Sequence, residues 1–399
     1  MQEKDRRAPK GHLRWVFSTV IAFACLGAAY YSLRIACAEY LFRTDRPGSI
    51  ERAAGLAPLR ADYQVRLNRL DRAVKLNPYL ASAWIELGLR AEAAGDVVKA
   101  ETSLRQAARV DRTFEPRWTL ANFYFRRGKW DEFWKWVRAA ADMSHGDRTG
   151  LFQLCWRATS DPQTILDRAI PLDRALLADY VDYLAGAQRY PAAQAAASRW
   201  LPLAAKDDVP ALLRLCDLLI EKAHDAAGAL YIWDALIENG WLSVQAVDLN
   251  SGSVITNGTF RTPPLSHGFD WRRSSQQGVR IASQQGLSIV LDGHQEEHAD
   301  LLIQWIPLRP SSTYELTMKA RSDDIPAGSG LRLAVLEGVS ASALAESEIS
   351  LPVLTLRFET PPRISLGKLV LSYQRALGTS RLAGTVVLSS IALVPLLRR

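Results

Sequence analysis

Trp84 and Trp118 stand 34 residues apart, and each opens a similar stretch of chain. From the first, the sequence reads Trp84-x-x-Leu87-Gly88-x-x-Ala91, breaks at Gly95-Asp96, and resumes as Ala100-x-x-x-Leu104-x-x-Ala107. Apolar residues three and four apart mark one face of a helix, and a Gly-Asp pair between two such stretches marks a tight turn. A fixed period of this length constrains the fold more than any other feature of the chain. Each unit is a helix hairpin that cannot bury its apolar face alone, so neighbours must stack into an array.

The second unit runs from Trp118 through Ala121 and Asn122, turns at Gly128-Lys129, and continues through Trp130, Phe133, Trp134 and Val137. The unit before Trp84 shows mainly its second helix, Leu70, Ala73 and Leu76, closed by Asn77-Pro78. Two looser hairpins follow: Leu177, Tyr180 and Leu184 with Tyr190, Ala193, Ala197 and Trp200, then Leu213, Cys216 and Ile220 with Ala229, Trp233 and Leu236. The pattern resembles the tetratricopeptide repeat, most closely over 47–148 and as a helix-hairpin rhythm over 150–242. The resemblance implies an α-solenoid over 47–242 whose partners are other proteins. It places Ser82, Ile85, Leu89, Glu92, Thr119, Phe123, Arg126 and Arg127 on the concave face. Members of the family that bind chaperones clamp a peptide carboxylate with Lys and Asn there. Ile85, Leu89, Thr119 and Phe123 lack that chemistry, so the clamp does not carry over.

The twelve tryptophans are a surplus for 399 residues. Trp84, Trp118, Trp200 and Trp233 fall in packing slots of the repeat. Trp130 and Trp134 share a face with Val137, a core pattern. Trp136 lies off that face, and with Phe123, Arg126 and Arg127 it is a candidate contact for a partner.

The amino terminus sets the compartment. Residues 1–14 carry Lys4, Arg6, Arg7, Lys10 and Arg14 against Glu3 and Asp5. The next 19 residues, Trp15 to Leu33, hold no charge. At about 1.5 Å per residue that run matches the ~30 Å hydrocarbon core of a bilayer. Trp15 stands at one rim and Tyr30 and Tyr31 near the other. The expectation is a cytoplasmic basic tail (1–14), a transmembrane anchor (15–35), and the bulk of the chain outside the cytoplasm of a bacterial inner membrane. A cleaved signal segment ending at Ala36-Cys37-Ala38 is the alternative, with Arg34 awkwardly placed between that site and the apolar run. Lipidation at Cys25 or Cys37 fits less well.

The chain carries 49 Lys and Arg against 42 Asp and Glu. Three of the seven excess positive charges belong to the basic tail, and four spread over the rest form no stripe for nucleic acid. Four cysteines exclude a disulfide-built scaffold, and Cys155 and Cys216 fall in the helical repeats as core residues, with pairing between them the alternative in an exported chain.

Near Val247 the Ala/Leu rhythm gives way to short β-branched runs bounded by Gly, Pro and Ser. Strands are expected at 278–282, 287–291, 301–308, 314–321, 331–337, 353–358, 368–373 and 385–394, an antiparallel β-sandwich or jelly roll over 248–399. The apolar run from Leu382 reads as terminal strand and not as a second span. Three local runs carry a further resemblance: Asn257-Gly258-x-Phe260, Gly268-Phe269-Asp270-Trp271, and Gln304-x-x-Pro307-Leu308-x-Pro310-x-x-x-Tyr314-x-Leu316. They are similar to the jelly-roll carbohydrate-binding modules of xylanases and related glycosidases. The family implies a possible glycan ligand and a structural calcium. Arg261 stands where an acidic residue commonly helps hold that calcium, which puts the ion in doubt. Trp271, in a polar stretch, is the candidate sugar platform, and Trp305 reads as buried core.

His294-Gln295-Glu296-Glu297-His298 imitates the H-x-x-E-H spacing of inverted zincins. That chemistry needs both His on one helical turn, whereas here the run lies between two strands, so His294 and His298 are weak metal candidates in a hairpin loop. No phosphate loop, nucleophile elbow or Cys-x-x-Cys occurs. The expectation is a scaffold without cofactor or catalysis, working in an envelope assembly for surface polysaccharide or secretion. The alternative is a glycan-binding or glycan-modifying protein acting through the sandwich.

Overall fold

The computed structural model describes residues 10–44, 46–283, 286–322, 324–326 and 328–396. The basic positions 4, 6 and 7 of the tail lie outside them. Packing divides the chain into two compact units: Met1–Ser160 with Asp167–Ala169, and Asp161–Leu166 with Ile170–Arg399.

Unit one is a stack of helices. They are α1 (Lys10–Thr44), α2 (Ser49–Leu56), α3 (Ala61–Arg66), α4 (Leu70–Leu76), α5 (Ala81–Ala93), α6 (Val97–Val110), α7 (Phe114–Arg126), α8 (Trp130–Ala141) and α9 (Thr149–Ala158). The hairpins α5–α6 and α7–α8 are the two units read from the 34-residue period. Gly88 of α5 shows why the pattern needs a small residue: a Cβ there would lie 2.6 Å from Cγ of the fully buried Leu104 on α6. Gly95, in the left-handed region at φ 83°, ends the first hairpin arm. Asp96 then caps α6, its carboxylate accepting from Lys99 N–H at 3.0 Å.

The apolar run is longer as a helix than as a hydrophobic segment. Residues 15–33 of α1 are exposed throughout, but the helix continues to Thr44 and its last turns enter the first cluster of unit one. Ala38 is fully buried with Ala53 and Tyr63, and the Phe42 and Tyr63 rings pack with centroids 4.6 Å apart, tilted by 31°. Nothing in the sequence between Arg34 and Thr44 breaks a helix, and the Glu39–Arg43 pair at 2.9 Å supports it.

After α10 (Pro162–Arg168), unit two begins with two further hairpins. These are α11 (Arg174–Gly186) with α12 (Tyr190–Trp200), and α13 (Val209–Leu218), extended by one wide turn over Leu219–Ala223, with α14 (Ala226–Glu238). Asp173 and Asp225 cap α11 and α14.

The strands are β1 (Arg272–Arg273), β2 (Val279–Ser283), β3 (Leu287–Asp292), β4 (His298–Pro307), β5 (Thr313–Arg321), β6 (Leu331–Glu337), β7 (Ala343–Glu348), β8 (Val353–Glu359), β9 (Leu366–Gln374) and β10 (Ala383–Leu396). They form two antiparallel five-stranded sheets, ordered β1-β4-β9-β6-β7 and β2-β3-β10-β5-β8. Leu316, Met318, Leu333, Leu371, Leu388 and Leu393 fill the space between them. The eight expected strands all form, and the run from Leu382 becomes β10, with residue 397 outside the described part. The strands not expected are β1, two residues long, and β7, whose Ala-Leu-Ala-Glu-Ser-Glu holds no β-branched residue and pairs only at the sheet edge. The chain is an array of helix hairpins followed by an antiparallel two-sheet β-sandwich, the fold class expected from the sequence.

Candidate functional site

The aromatic residues of unit one divide at the edge where successive hairpins join. Trp84 and Trp118, expected as core, are only half-buried, because the first turn of each hairpin lies at that edge. Trp84 donates its indole N–H to Pro78 O at 2.8 Å. Trp118 stacks on Phe114 with ring centroids 5.8 Å apart at 17°. Together with Met143 and Leu151 this pair lines a cavity of about 750 Å³, walled by the turn before α7, the start of α7, the α8–α9 connection and the start of α9. Its polar rim holds Arg112, His145, Asp147 and Arg148. Arg148 is anchored, Nε donating to Ser144 Oγ at 2.9 Å and NH2 to Ser144 O at 2.8 Å. Asp147, just before α9, accepts from Thr149 N–H at 2.8 Å, and hydrogen bonds from Thr149 hold its carboxyl below the usual carboxylate range. Among the described residues, the Arg112 guanidinium and the His145 ring have no partner. The site therefore offers apolar and aromatic surface beside uncommitted cationic and ring nitrogens. It suits a side chain or short segment that brings an apolar body and an acidic or hydrogen-bonding group. Sequence reading missed it because 112–118 and 143–151 lie far apart in the chain, and the repeat motif that includes Trp118 does not relate it to the α8–α9 connection.

The residues chosen from sequence go elsewhere. Phe123 is fully buried, since its place on α7 faces the neighbouring helices and not a groove. Arg126 forms a two-point pair with Glu92 of the preceding hairpin, at 3.0 Å and 2.7 Å. Arg127 lies 4.0 Å from the same carboxylate, with its guanidinium over the Phe123 ring at 5.7 Å. Arg126 is thus committed to Glu92 and ties two hairpins together, with Arg127 at the edge of the same carboxylate's reach. Trp136 is half-buried and donates to Glu132 at 3.0 Å, with Lys135 over its ring. Trp130, read as core, is 46% exposed.

Trp271 is a clear correction. It is fully buried, its N–H donates to Asn257 O at 3.2 Å, and Phe260 packs on it at 5.5 Å. No face is left for a sugar. The rest of its motif joins the last hairpin to the sandwich. Asp217 of α13 accepts from the Gly268 N–H at 2.7 Å and from Arg272 at 2.7 Å, and lies 2.6 Å from His267 Nδ1. Phe269 meets Trp233 of α14 edge-on at 6.1 Å. Gly268 has φ +54°, and a Cβ there would overlap the Trp233 ring. Asp270 accepts from Leu265 N–H at 2.8 Å, yet burial raises its carboxyl above the ordinary value.

Trp305 departs from expectation in the opposite sense. A register shift between Asp300 and Leu302 re-phases β4, so Gln304 turns inward and Trp305 outward. Gln304 Nε2 donates to Thr256 O at 2.9 Å and to Phe269 O at 2.8 Å. Trp305 is half-buried, with Lys368 of the adjacent β9 over its ring at 6.0 Å.

His294 lies in the β3–β4 connection and His298 opens β4, both exposed. His294 Nδ1 lies 3.2 Å from Asp292 and His298 Nδ1 lies 2.9 Å from Gln374 Oε1. Among the described residues no group of three potential metal ligands comes together. Cys155 and Cys216 are buried free thiols, not a pair. Burial pushes the Cys155 thiol up to about 12.

No protein-family model matches the chain, and no curated protein sequence matches it. Among solved structures, one described as "CBM4 structure and function" shares 16% identity at a TM-score of 0.29, covering 36% of this chain and 99% of that one. YrrB, a TPR protein with an unusual peptide-binding site, shares 13% at a TM-score of 0.21, covering 42% of this chain and 91% of its own. The pilF protein of Pseudomonas aeruginosa shares 16% at a TM-score of 0.21, covering 52% of this chain and 91% of its own. At these scores the likenesses carry nothing about ligand or role.

Proposed function

We propose that this chain is a non-catalytic scaffold, anchored in a bacterial inner membrane by residues 15–35 with the basic tail inside, that docks envelope proteins through unit one. The observation that carries the reading is the cavity between α7 and α9: a stacked Phe114–Trp118 pair with Arg112 and His145 uncommitted beside it. Stacked aromatic surface left open to water costs free energy that a partner's apolar side chain recovers. The continuous α1 supports the anchor, because cleavage after Ala38 would remove a helix segment that packs on Ala53 and Tyr63. A protein-docking array joined to a sandwich of glycan-module kind points to an assembly that handles surface polysaccharide or secretion.

The test is photo-crosslinking of the full chain in its own membranes from a benzoyl-phenylalanine placed at Met143. A protein adduct lost on Trp118→Ala and on Arg112→Glu is expected. An adduct indifferent to both substitutions, or no adduct, ends the reading.

One observation favours a second reading, a glycan-binding role for the sandwich. Trp305 presents part of its ring on the outer face of the β4–β9 pair, where a sugar ring could stack beside Lys368. A fluorescence titration with oligosaccharides in which Trp305→Ala abolishes the response would carry it.

A further inference from the structure

α1 passes from Leu33, the last residue of its charge-free run, to Arg34 and then continues for ten residues to Thr44, about 15 Å farther along its axis. α2 returns antiparallel beside it: Arg34 Nε donates to Leu56 O at 2.6 Å and its NH2 reaches Gly55 O at 3.5 Å. The carboxyl end of α2 is therefore level with the first charged residue beyond the apolar run. α3 runs outward again along α1. Tyr63 donates to Glu39 at 3.1 Å, and Arg66 lies over Phe42 at 5.7 Å, so rising numbers on one helix meet rising numbers on the other. α4 returns once more. The alternation puts the connections 57–60 and 77–80 on one edge of the stack, level with Arg34, and the turns 67–69 and 94–96 on the other.

Both connections on the Arg34 edge read Pro-apolar: Pro58-Leu59-Arg60 and Pro78-Tyr79-Leu80. Leu59 is 76% exposed and Tyr79 79%. Single exposed apolar residues are ordinary. Here two project from successive connections on one edge, at the height where α1 turns from apolar to charged, and one sits beside an Arg able to keep its head in water. We propose that the first two connections of this edge, 57–60 and 77–80, rest in the interfacial layer of the bilayer that α1 enters, with Leu59 and Tyr79 inserted at headgroup depth. The first hairpins of unit one would then lie against the membrane instead of standing free on a tether. The partner is the lipid surface itself, and tyrosine at one of the two points is the side chain that favours such an interface. This inference rests on the reading of α1 as an anchor.

The test uses the full chain in lipid nanodiscs, spin-labelled at one cysteine at a time. Cys25 is labelled in a Cys37→Ser chain. Leu59→Cys, Tyr79→Cys and Val98→Cys are each labelled with Cys25 and Cys37 replaced by Ser, since Cys155 and Cys216 are buried. Val98, 77% exposed at the start of α6 on the opposite edge, is the control. Relaxation by a nickel-chelating lipid, which samples the headgroup layer, should be severalfold greater at 59 and 79 than at 98, while the Cys25 label collides mainly with oxygen. If the Cys25 label is lipid-immersed but 59 and 79 relax no more than 98, the inference fails and the anchor stands. If the Cys25 label reports water, the anchor reading fails and the inference with it.

Discussion

Two aromatic positions of the helical hairpins, one in each unit, behave in opposite ways. In unit one Phe114 and Trp118 line an open cavity, while in unit two Trp233 closes against Phe269 and Gly268. Both tryptophans occupy comparable amphipathic helices. The difference is what arrives from elsewhere in the chain: the loop at 265–272 covers α14, and among the described residues no such segment covers the Phe114–Trp118 pair. An aromatic slot in a repeat is thus a place where something packs, and whether that something is the chain itself decides whether the slot is core or site.

The largest expected effect tests this directly. Trp233→Ala should cost unit two about 4 kcal/mol, as deletion of a fully buried large side chain does, whereas Trp118→Ala should cost unit one less than about 1 kcal/mol. Denaturant unfolding followed by circular dichroism measures both, and equal costs would erase the distinction between the units. Next, Gly268→Ala adds a methyl into the Trp233 ring at a left-handed backbone position, for an expected loss of about 3 kcal/mol. A near-neutral result would mean that the loop does not press on α14. Asp217→Ala removes the acceptor for the Gly268 N–H and the partner of Arg272, an expected cost of about 2 kcal/mol. If unit two keeps its thermal midpoint in that variant, the contact between α13 and the loop is incidental.

The smallest effect is a pH slope. Burial raises the folded Asp270 carboxyl above its unfolded value, so its contribution to stability is full below the ordinary Asp pKa of about 3.9 and is lost as pH rises through the raised value. Thermal midpoints of unit two should therefore fall with rising pH across that window, and Asp270→Asn should flatten the slope. An unchanged slope in the variant would assign it to another group.

Much of the fold was legible because it rests on local periodicity. The spacing of Trp84 and Trp118 located two hairpins, Gly88 marked the close approach to Leu104, and β-branched runs located all but β1 and β7. The candidate site was not legible. Arg112, Phe114, Trp118, Met143 and His145 share no spacing, and they meet only because the α8–α9 connection comes back beside the start of α7. The residues that looked functional were consumed by packing: Arg126 by Glu92, Phe123 by the helix stack, Trp271 by Asn257 and Phe260. A side chain's type predicts what it can do. Its availability depends on neighbours distant in sequence.

The sequence by itself determined the order of parts: an apolar helix after a basic tail, a helical-repeat array and a sandwich. Each is written in a local pattern of hydrophobicity that any fold of this chain must satisfy. Tertiary structure alone decided which aromatics remained open, where α1 ended, and which way Gln304 and Trp305 faced. Those outcomes depend on desolvation by remote segments and on a one-residue shift in β4 register. No local pattern encodes either.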